Sequence, residues 1–339
     1  MKKMLFLSIA VICSCFMLAL AAPTPASAAP EITLRFAGQL PPEHNGTGYM
    51  NEIAKTVSER SGGRIEIKVY PANQLGDYGL VHQEMIKGTI DMAMISAPGD
   101  IDPRMNFPYI NYFASDYKQL EDAFKTGGWA YKKMDELNQA VGVKFLGFNV
   151  EGFIGLASTK PLTEPLNPKV DKGVLCRVPN MTAYQLPAAA MGFRTMTIPY
   201  SDLYTSLQTG VVDAVDGLPP AAAYSILKDV LKYWYQLNYS IEVEPYFMSM
   251  KTWDKLKPED REMIADVVAK IAERSIPLAK TEDENYMNLM KEAGIQVFSY
   301  TAEDLLPMRL AAVGTWPALS NTMTKEFMDE FEKELGPKK

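Results

Sequence analysis

From Ile32 to Ile95 the hydrophobic period switches back and forth between strand and helix, which restricts the chain to an α/β architecture with largely parallel sheets. Ile32 to Ala37 alternates as a strand. A helix from about Thr47 places Met50, Ile53, Ala54 and Val57 on one face and stops at Gly62-Gly63. Ile65, Ile67 and Val69 then alternate with Glu66 and Lys68; a helix from about Asp77 to Lys87 ends at Gly88, and Ile90 to Ile95 reads as a buried strand. The result is β-α-β-α-β.

A second region of the same kind starts near Phe153, after a strand at Val143 to Phe148. It contains strand Val174 to Val178, a helix near Thr182 to Met191, strand Thr195 to Ile198, a helix over Ser201 to Thr209 and strand Val211 to Val215. The C-terminal third is expected to be mostly helical. Pro258 suits a helix start, Met263, Ile264, Val267, Val268 and Ile271 form a face, and Pro277 is expected to kink or break that helix.

Ahead of this lies a cleavable secretory signal: Lys2 and Lys3, an apolar run from Met4 to Ala22, and Ala26-Ser27-Ala28. A lipid anchor at Cys15 fits less well, because the apolar run continues through Phe16 to Leu20. Removing residues 1–28 leaves 339 − 28 = 311 residues, enough for two domains, and moves the formal charge from −7 to −9 by subtracting two lysines. That acidity argues against nucleic acid or anionic lipid as the main partner. Of three cysteines only Cys176 would remain, so no internal disulfide forms and packing must supply stability.

Signatures of catalysis are missing. The expected mature chain has no G-x-S-x-G, G-x-G-x-x-G, G-x-x-x-x-G-K, H-E-x-x-H or C-x-x-C. His44 and His82 are the only histidines and have no ligand spacing, so packing or surface roles are expected for both. Cys176 reads as a buried strand residue and not as a reactive thiol beside Arg177. No catalytic residue, metal or cofactor is expected.

Binding remains, and several segments carry a resemblance. Arg60-Ser61-Gly62-Gly63-Arg64-Ile65 through Tyr70-Pro71-Ala72-Asn73-Gln74-Leu75-Gly76 resembles the "SGGRI…YP-x-x-QLG" of DctP-type solute receptors of tripartite ATP-independent periplasmic (TRAP) transporters. Gly88-Thr89-Ile90-Asp91-Met92 is similar to the "G-x-x-D-M" that follows. Arg177-Val178-Pro179-Asn180 with Pro199 to Asp213 resembles "RVP…PFSEVYTALQTGVVDG", and Trp253-Asp254-Lys255-Leu256 with Pro258-Glu259-Asp260 resembles "WD-x-L-x-PED".

The resemblance implies an α/β, two-domain periplasmic-binding-protein fold with a hinged cleft, a long crossing helix and a helical C-terminal region. Residues 29–150 would form the first domain, completed by part of 241–339, and residues 151–240 the second; 241–339 would hold the hinge return and C-terminal helices. The implied function is capture of a small organic anion in the periplasm and delivery to a small and a large membrane subunit, by a monomer. A receptor feeding a sensor kinase and a secreted enzyme on the same scaffold are the alternatives.

Taken alone, Arg177 reads as a surface ion pair. In the family the arginine of "RVP" meets the ligand's acidic group, and a guanidinium suits that role because it donates two parallel bonds to a carboxylate or sulfonate. The other implied contacts are Gln39 and Ser96 at strand ends, Asn180, and Tyr200 as an aromatic wall. Glu151 replaces the asparagine, and Ile154 the second arginine, of a common "N-G-F-R"; Gly217 replaces the asparagine of "Q-E-N-P". Glu151 and Asp216 could face a hydroxyl or an amine. A short carboxylate is the expected ligand, with a small sulfonate such as isethionate, or an aromatic or branched acid, also open. Tyr204, Phe107, Tyr109, Tyr112, Tyr224 and Tyr246 are expected in ordinary packing, and Asp77 as a helix cap.

Overall fold

The computed structural model describes residues 29–336; the secretory leader expected at 1–28 lies outside the described residues. Eleven strands among them form two sheets. β1 (Ile32–Gly38), β2 (Ile65–Tyr70), β3 (Met92–Met94) and β4 (Val143–Phe153) belong to the first, whose order is β2-β1-β3-β10-β4, with β10 at Ile241–Ser249. The second has the order β11-β9-β5-β8-β6-β7, built from β5 (Gly155–Ser158), β6 (Leu175–Val178), β7 (Arg194–Thr197), β8 (Ala214–Leu218), β9 (Tyr233–Gln236) and β11 (Gln296–Ser299). β1 pairs in parallel with β2 and β3, and β6 with β7 and β8.

The connections include the helices that the periodicity called for near Thr47, Asp77, Thr182 and Ser201, and four more that it did not. α1 (Asn45–Arg60) and α2 (Tyr78–Lys87) cross over between the parallel strands, and α3 (Tyr117–Phe124) and α4 (Trp129–Gln139) precede β4. α5 (Thr182–Ala190), α6 (Leu203–Gln208) and α7 (Pro220–Leu227) serve the second sheet, and α8 (Met250–Trp253) follows β10. On α1, Met50, Ile53 and Val57 are fully buried, each worth about 1.5–3 kcal/mol of apolar transfer. α2 stops at Gly88, whose φ of 80° is a left-handed cap that glycine adopts without strain.

Two strands tie the domains together. β4 runs to Phe153 in the first sheet and, after Ile154 alone, the chain enters β5 of the second; β10 comes back antiparallel to β4, with Ile241 opposite Phe153. α9 (Pro258–Glu292) packs along β4 and also reaches α1, α7 and β11, so it spans both sheets. It is pinned where the chain crosses: Asp283 accepts from the Phe153 amide at 2.9 Å and from the Tyr117 hydroxyl at 2.7 Å. A Cβ on Gly152 would lie 2.2 Å from Asp283 Oδ1, so only glycine lets the helix approach this closely.

Of the kink or break expected at Pro277, the break does not occur, because α9 is one continuous helix of 35 residues. Pro277 and Glu273, whose carbonyl loses its partner, both face solvent, where water replaces the missing bond. β8 begins at Ala214 and not at Val211, which is exposed, so Asp216 and Gly217 lie inside a strand. β3 is shorter than the apolar run Ile90 to Ile95. The chain closes with α10 (Leu306–Val313), α11 (Trp316–Met323) and α12 (Lys325–Leu335). Trp316 donates to the Asn111 carbonyl at 3.0 Å and Trp129 to Glu330 at 2.7 Å, which fastens these helices to the region before β4.

Candidate functional site

In open α/β sheets the crevice lies beyond the carboxyl ends of parallel strands. Here those ends bring together Gln39 after β1, Ser96 after β3, Arg177 near the end of β6 and Gly217 in β8. A cavity of about 240 Å³ lies between the sheets, lined by Ser96, Arg177 and Gly217 with Tyr78, Tyr109, Pro179, Met181, Tyr184, Tyr200 and Glu242.

Arg177 is 1 % exposed. Its Nε donates to the Ile198 carbonyl at 2.8 Å and Nη1 to the Asp216 carbonyl at 3.0 Å. Those bonds use two of five guanidinium donors and neutralise none of the charge. No ion pair among the described residues includes it, and desolvation lowers its pKa. Gly217, at φ 92°, makes room for it: a Cβ there would sit 3.4 Å from Nη1 and 3.1 Å from Pro179 Cγ.

The opposite wall is acidic. On β10 the two-residue period turns Glu242, Glu244 and Tyr246 to one face and Ile241 and Val243 to the other. A bulge between Glu242 and Val243 leaves Glu151 of β4 as the extra residue, since Glu242 pairs with Gly152 and Val243 with Val150. All three glutamates are buried. Glu242 accepts from Ser96 Oγ at 2.9 Å and from the Tyr184 hydroxyl at 3.4 Å, and Ser96 Oγ in turn accepts from Gln39 Nε2 at 2.9 Å. No protein donor reaches either oxygen of Glu244 or Glu151 in hydrogen-bond geometry. Burial pushes Glu242 and Glu244 well above the usual carboxylate range and Glu151 up to about 8.

Glu151 itself lines a second cavity, of about 320 Å³, with His44, Tyr49, Ser275 and Glu282. His44 caps α1: Nδ1 accepts from the Gly46 amide at 3.0 Å, which puts the proton of the neutral ring on Nε2, 3.6 Å from Glu151. Burial lowers this histidine to about 4. His82 is also buried, against Asn138 at 3.0 Å, and Cys176 is buried on β6, whereas His44 lines the second cavity with its Nε2 lacking a hydrogen-bond partner.

Of the residues singled out in the sequence, Arg177, Ser96, Tyr200 and Gly217 line one cavity and Gln39 stands behind Ser96. Asp216 is buried, with its carboxyl pushed up to about 8 by burial, and offers Arg177 only its carbonyl. Asn180 is exposed and outside the cavity lining. Asp77 precedes α2 but makes no side-chain cap bond; its Oδ2 accepts from the Ser201 amide at 3.3 Å, across the cleft. Tyr109, expected in simple packing, lines the cavity, with its hydroxyl fixed between the Ala97 amide at 2.7 Å and the Val243 carbonyl at 2.9 Å. Glu242 and Glu244 were missed, although the alternation Ile241-Glu242-Val243-Glu244 was there to read. Among the described residues no group of three or more His, Cys, Asp or Glu is placed to hold a metal, and no helix is long and apolar enough to cross a membrane.

Known proteins resemble this chain over most of its length. The chain is 28 % identical to the sialic acid-binding periplasmic protein SiaP of Vibrio cholerae, over 76 % of this chain and 79 % of the relative. It is 26 % identical to the C4-dicarboxylate-binding periplasmic protein DctP of Rhodobacter capsulatus, over 85 % of this chain and 86 % of the relative. Its fold matches a TRAP periplasmic solute-binding protein of Sulfurospirillum deleyianum solved with bound succinate, at TM-score 0.79 and 20 % identity, covering 90 % of this chain and 99 % of that one. These are binding proteins, not enzymes. The profile of the DctP family, bacterial extracellular solute-binding protein family 7, matches residues 36–321, and the chain belongs to that family.

Proposed function

We propose that this chain is the periplasmic receptor of a TRAP transporter, exported by its leader, and that it captures a small carboxylate-bearing solute at Arg177 by closure of the cleft and delivers it to the membrane subunits. The observation that carries this reading is the guanidinium itself, buried, hydrogen-bonded only to backbone carbonyls and lining a cavity in which no carboxylate comes within ion-pair distance of it. An unpaired buried charge costs several kcal/mol, and an incoming carboxylate removes that cost with short, charge-assisted bonds. The relatives named for sialic acid and C4-dicarboxylates, and the neighbour holding succinate, support an acid as the ligand. A sulfonate such as isethionate offers the same fork three oxygens and remains the competing head group. Solute must favour the closed state for closure to signal occupancy.

Thermal unfolding of refolded, ligand-stripped protein against short carboxylates, hydroxy and keto acids, amino acids and small sulfonates tests this. At about 100 times Kd the bound solute adds about 2.7 kcal/mol of stability. The rise in midpoint should vanish in Arg177→Ala and be strongly reduced in Arg177→Lys, which keeps the charge and loses the fork. A folded protein that answers no carboxylate and no sulfonate would refute the reading.

A further inference from the structure

Resting on the receptor reading above, we propose that the solute is a small zwitterion of the amino-acid class, with its carboxylate on Arg177 and its ammonium group on Glu242. Both residues line the same cavity, yet they form no ion pair within 4.0 Å. A guanidinium and a carboxylate sharing so small a space would ordinarily collapse onto each other. They are held apart because each is tethered on its own wall: Arg177 by the Ile198 and Asp216 carbonyls, Glu242 by Ser96 and Tyr184. The gap between them suits a molecule that is an acceptor at one end and a donor at the other.

A second observation points the same way. The Tyr200 hydroxyl lines this cavity, is 8 % exposed and has no hydrogen-bond partner. It lies close enough to Arg177 and to Glu242, Glu244 and Glu151 to feel all four charges, so it marks polar space still to be filled. The charges also discriminate between solute classes. A dicarboxylate would set its second anion against Glu242, with Glu244 and Glu151 buried nearby. A hydroxy acid would donate one hydrogen bond to Glu242 but bring no charge that favours its ionised form. An ammonium group supplies both the donor and the charge, and so reverses the burial that otherwise raises the Glu242 carboxyl.

Calorimetric titration of the ligand-stripped chain tests this with matched sets that differ in one group, for example alanine, lactate, pyruvate and propionate, extended to the other common α-, β- and γ-amino acids and their hydroxy counterparts, with succinate and malate added. The expected result is an amino acid that binds at least about tenfold more tightly than its hydroxy, keto and des-amino partners. Glu242→Gln, close in shape and uncharged, should abolish that preference while Arg177→Ala abolishes binding of every member. Should Glu242→Gln fail to fold, the matched sets on the unaltered chain decide alone. A simple hydroxy acid, keto acid or dicarboxylate that binds as tightly as any amino acid would overturn the zwitterion and leave the receptor reading intact. Binding of no acid of either kind would overturn both.

Discussion

Arg177 and Glu242 face one cavity from opposite walls, but the protein secures the two charges by different means. The guanidinium is fixed by two backbone carbonyls, groups that do not titrate and move only with their strands. The carboxylate is fixed by side chains, Ser96 and Tyr184, while its neighbours Glu244 and Glu151 face each other and Asn149 without a well-formed donor contact. Backbone tethering yields a preorganised anion site that is the same at any ordinary pH. Side-chain tethering of acids in a dry wall yields a site whose charge depends on proton and solute together.

Removing the tethered cation should give the largest effect. Arg177→Ala is expected to cost about 3–5 kcal/mol of binding free energy, at least about a hundredfold in Kd, because the solute's carboxylate would then be buried without a partner. Titration of wild type and variant with the same solute measures it; a loss below tenfold would mean that the anion end lies elsewhere.

Next come two glycines, one behind each wall. Gly152 has φ 149°, and a Cβ there would meet Asp283 Oδ1 at 2.2 Å, an oxygen of a carboxyl already anchored by Phe153 and Tyr117. Gly217 has φ 92° and looser neighbours at 3.1 Å and beyond. Gly152→Ala should therefore destabilise by about 3 kcal/mol and Gly217→Ala by about 1–2 kcal/mol, with denaturant midpoints as the readout. Only Gly217→Ala should also weaken solute binding, since it crowds Arg177. Equal stabilities of the two variants would show that α9 gives way more easily than its bonds imply.

The acidic wall predicts an uncommon pH profile. Glu242 and Glu244 are raised well above the carboxylate range, and Glu151, Asp216 and Asp283 are raised to about 8, in each case mainly by burial. Between the unfolded carboxylate range and about 8 the folded chain then holds more protons than the unfolded one, so stability is greatest at the acid end of that window and falls as pH rises through it. His44, lowered to about 4, acts in the other direction, but only between about 4 and its ordinary value of 6.5. The solute-free midpoint should drop from pH 6.5 to pH 8, less steeply in Glu244→Gln, and an ammonium-bearing solute should flatten the drop. A midpoint that rises over that range would place these carboxyls in their ionised form.

The same contrast explains what the sequence disclosed. Arg177, Gln39, Ser96 and Gly217 are legible because their segments resemble a known family pattern, and for Gln39 and Ser96 the period of the strands also places them at strand ends. Glu242 and Glu244 are equally regular, but alternating acids on a strand ordinarily mark a solvated face. β10 lies between β3 and β4 with every residue buried, so both of its faces are covered by other layers of the fold, a matter of tertiary arrangement and not of local pattern. Pro277 misled for a related reason: whether a proline breaks a helix depends on whether the orphaned carbonyl meets water, and here the residue it frees, Glu273, is exposed. Asp77 stands before α2 as a cap would, yet its carboxylate is drawn across the cleft by the Ser201 amide, a partner more than a hundred residues away that no local rule anticipates.

That contact offers the smallest and most specific test. The bond from the Ser201 amide to Asp77 Oδ2 is long, 3.3 Å, and lies at the exposed rim, so its net worth is below about 1 kcal/mol. It joins the element after β2 to the second domain, as a contact that closure of the proposed cleft would make. Asp77→Ala should leave the solute-free midpoint unchanged within error, because α2 draws no cap bond from this side chain. It should weaken solute binding about two- to fivefold through faster dissociation, since one closing contact is gone while Arg177 and Glu242 are intact. Stopped-flow release measurements separate the cases: an unchanged off-rate with a lowered midpoint would return Asp77 to the role of helix cap, and a faster off-rate at constant midpoint identifies it as a latch that acts on closure and not on the chemistry of either wall.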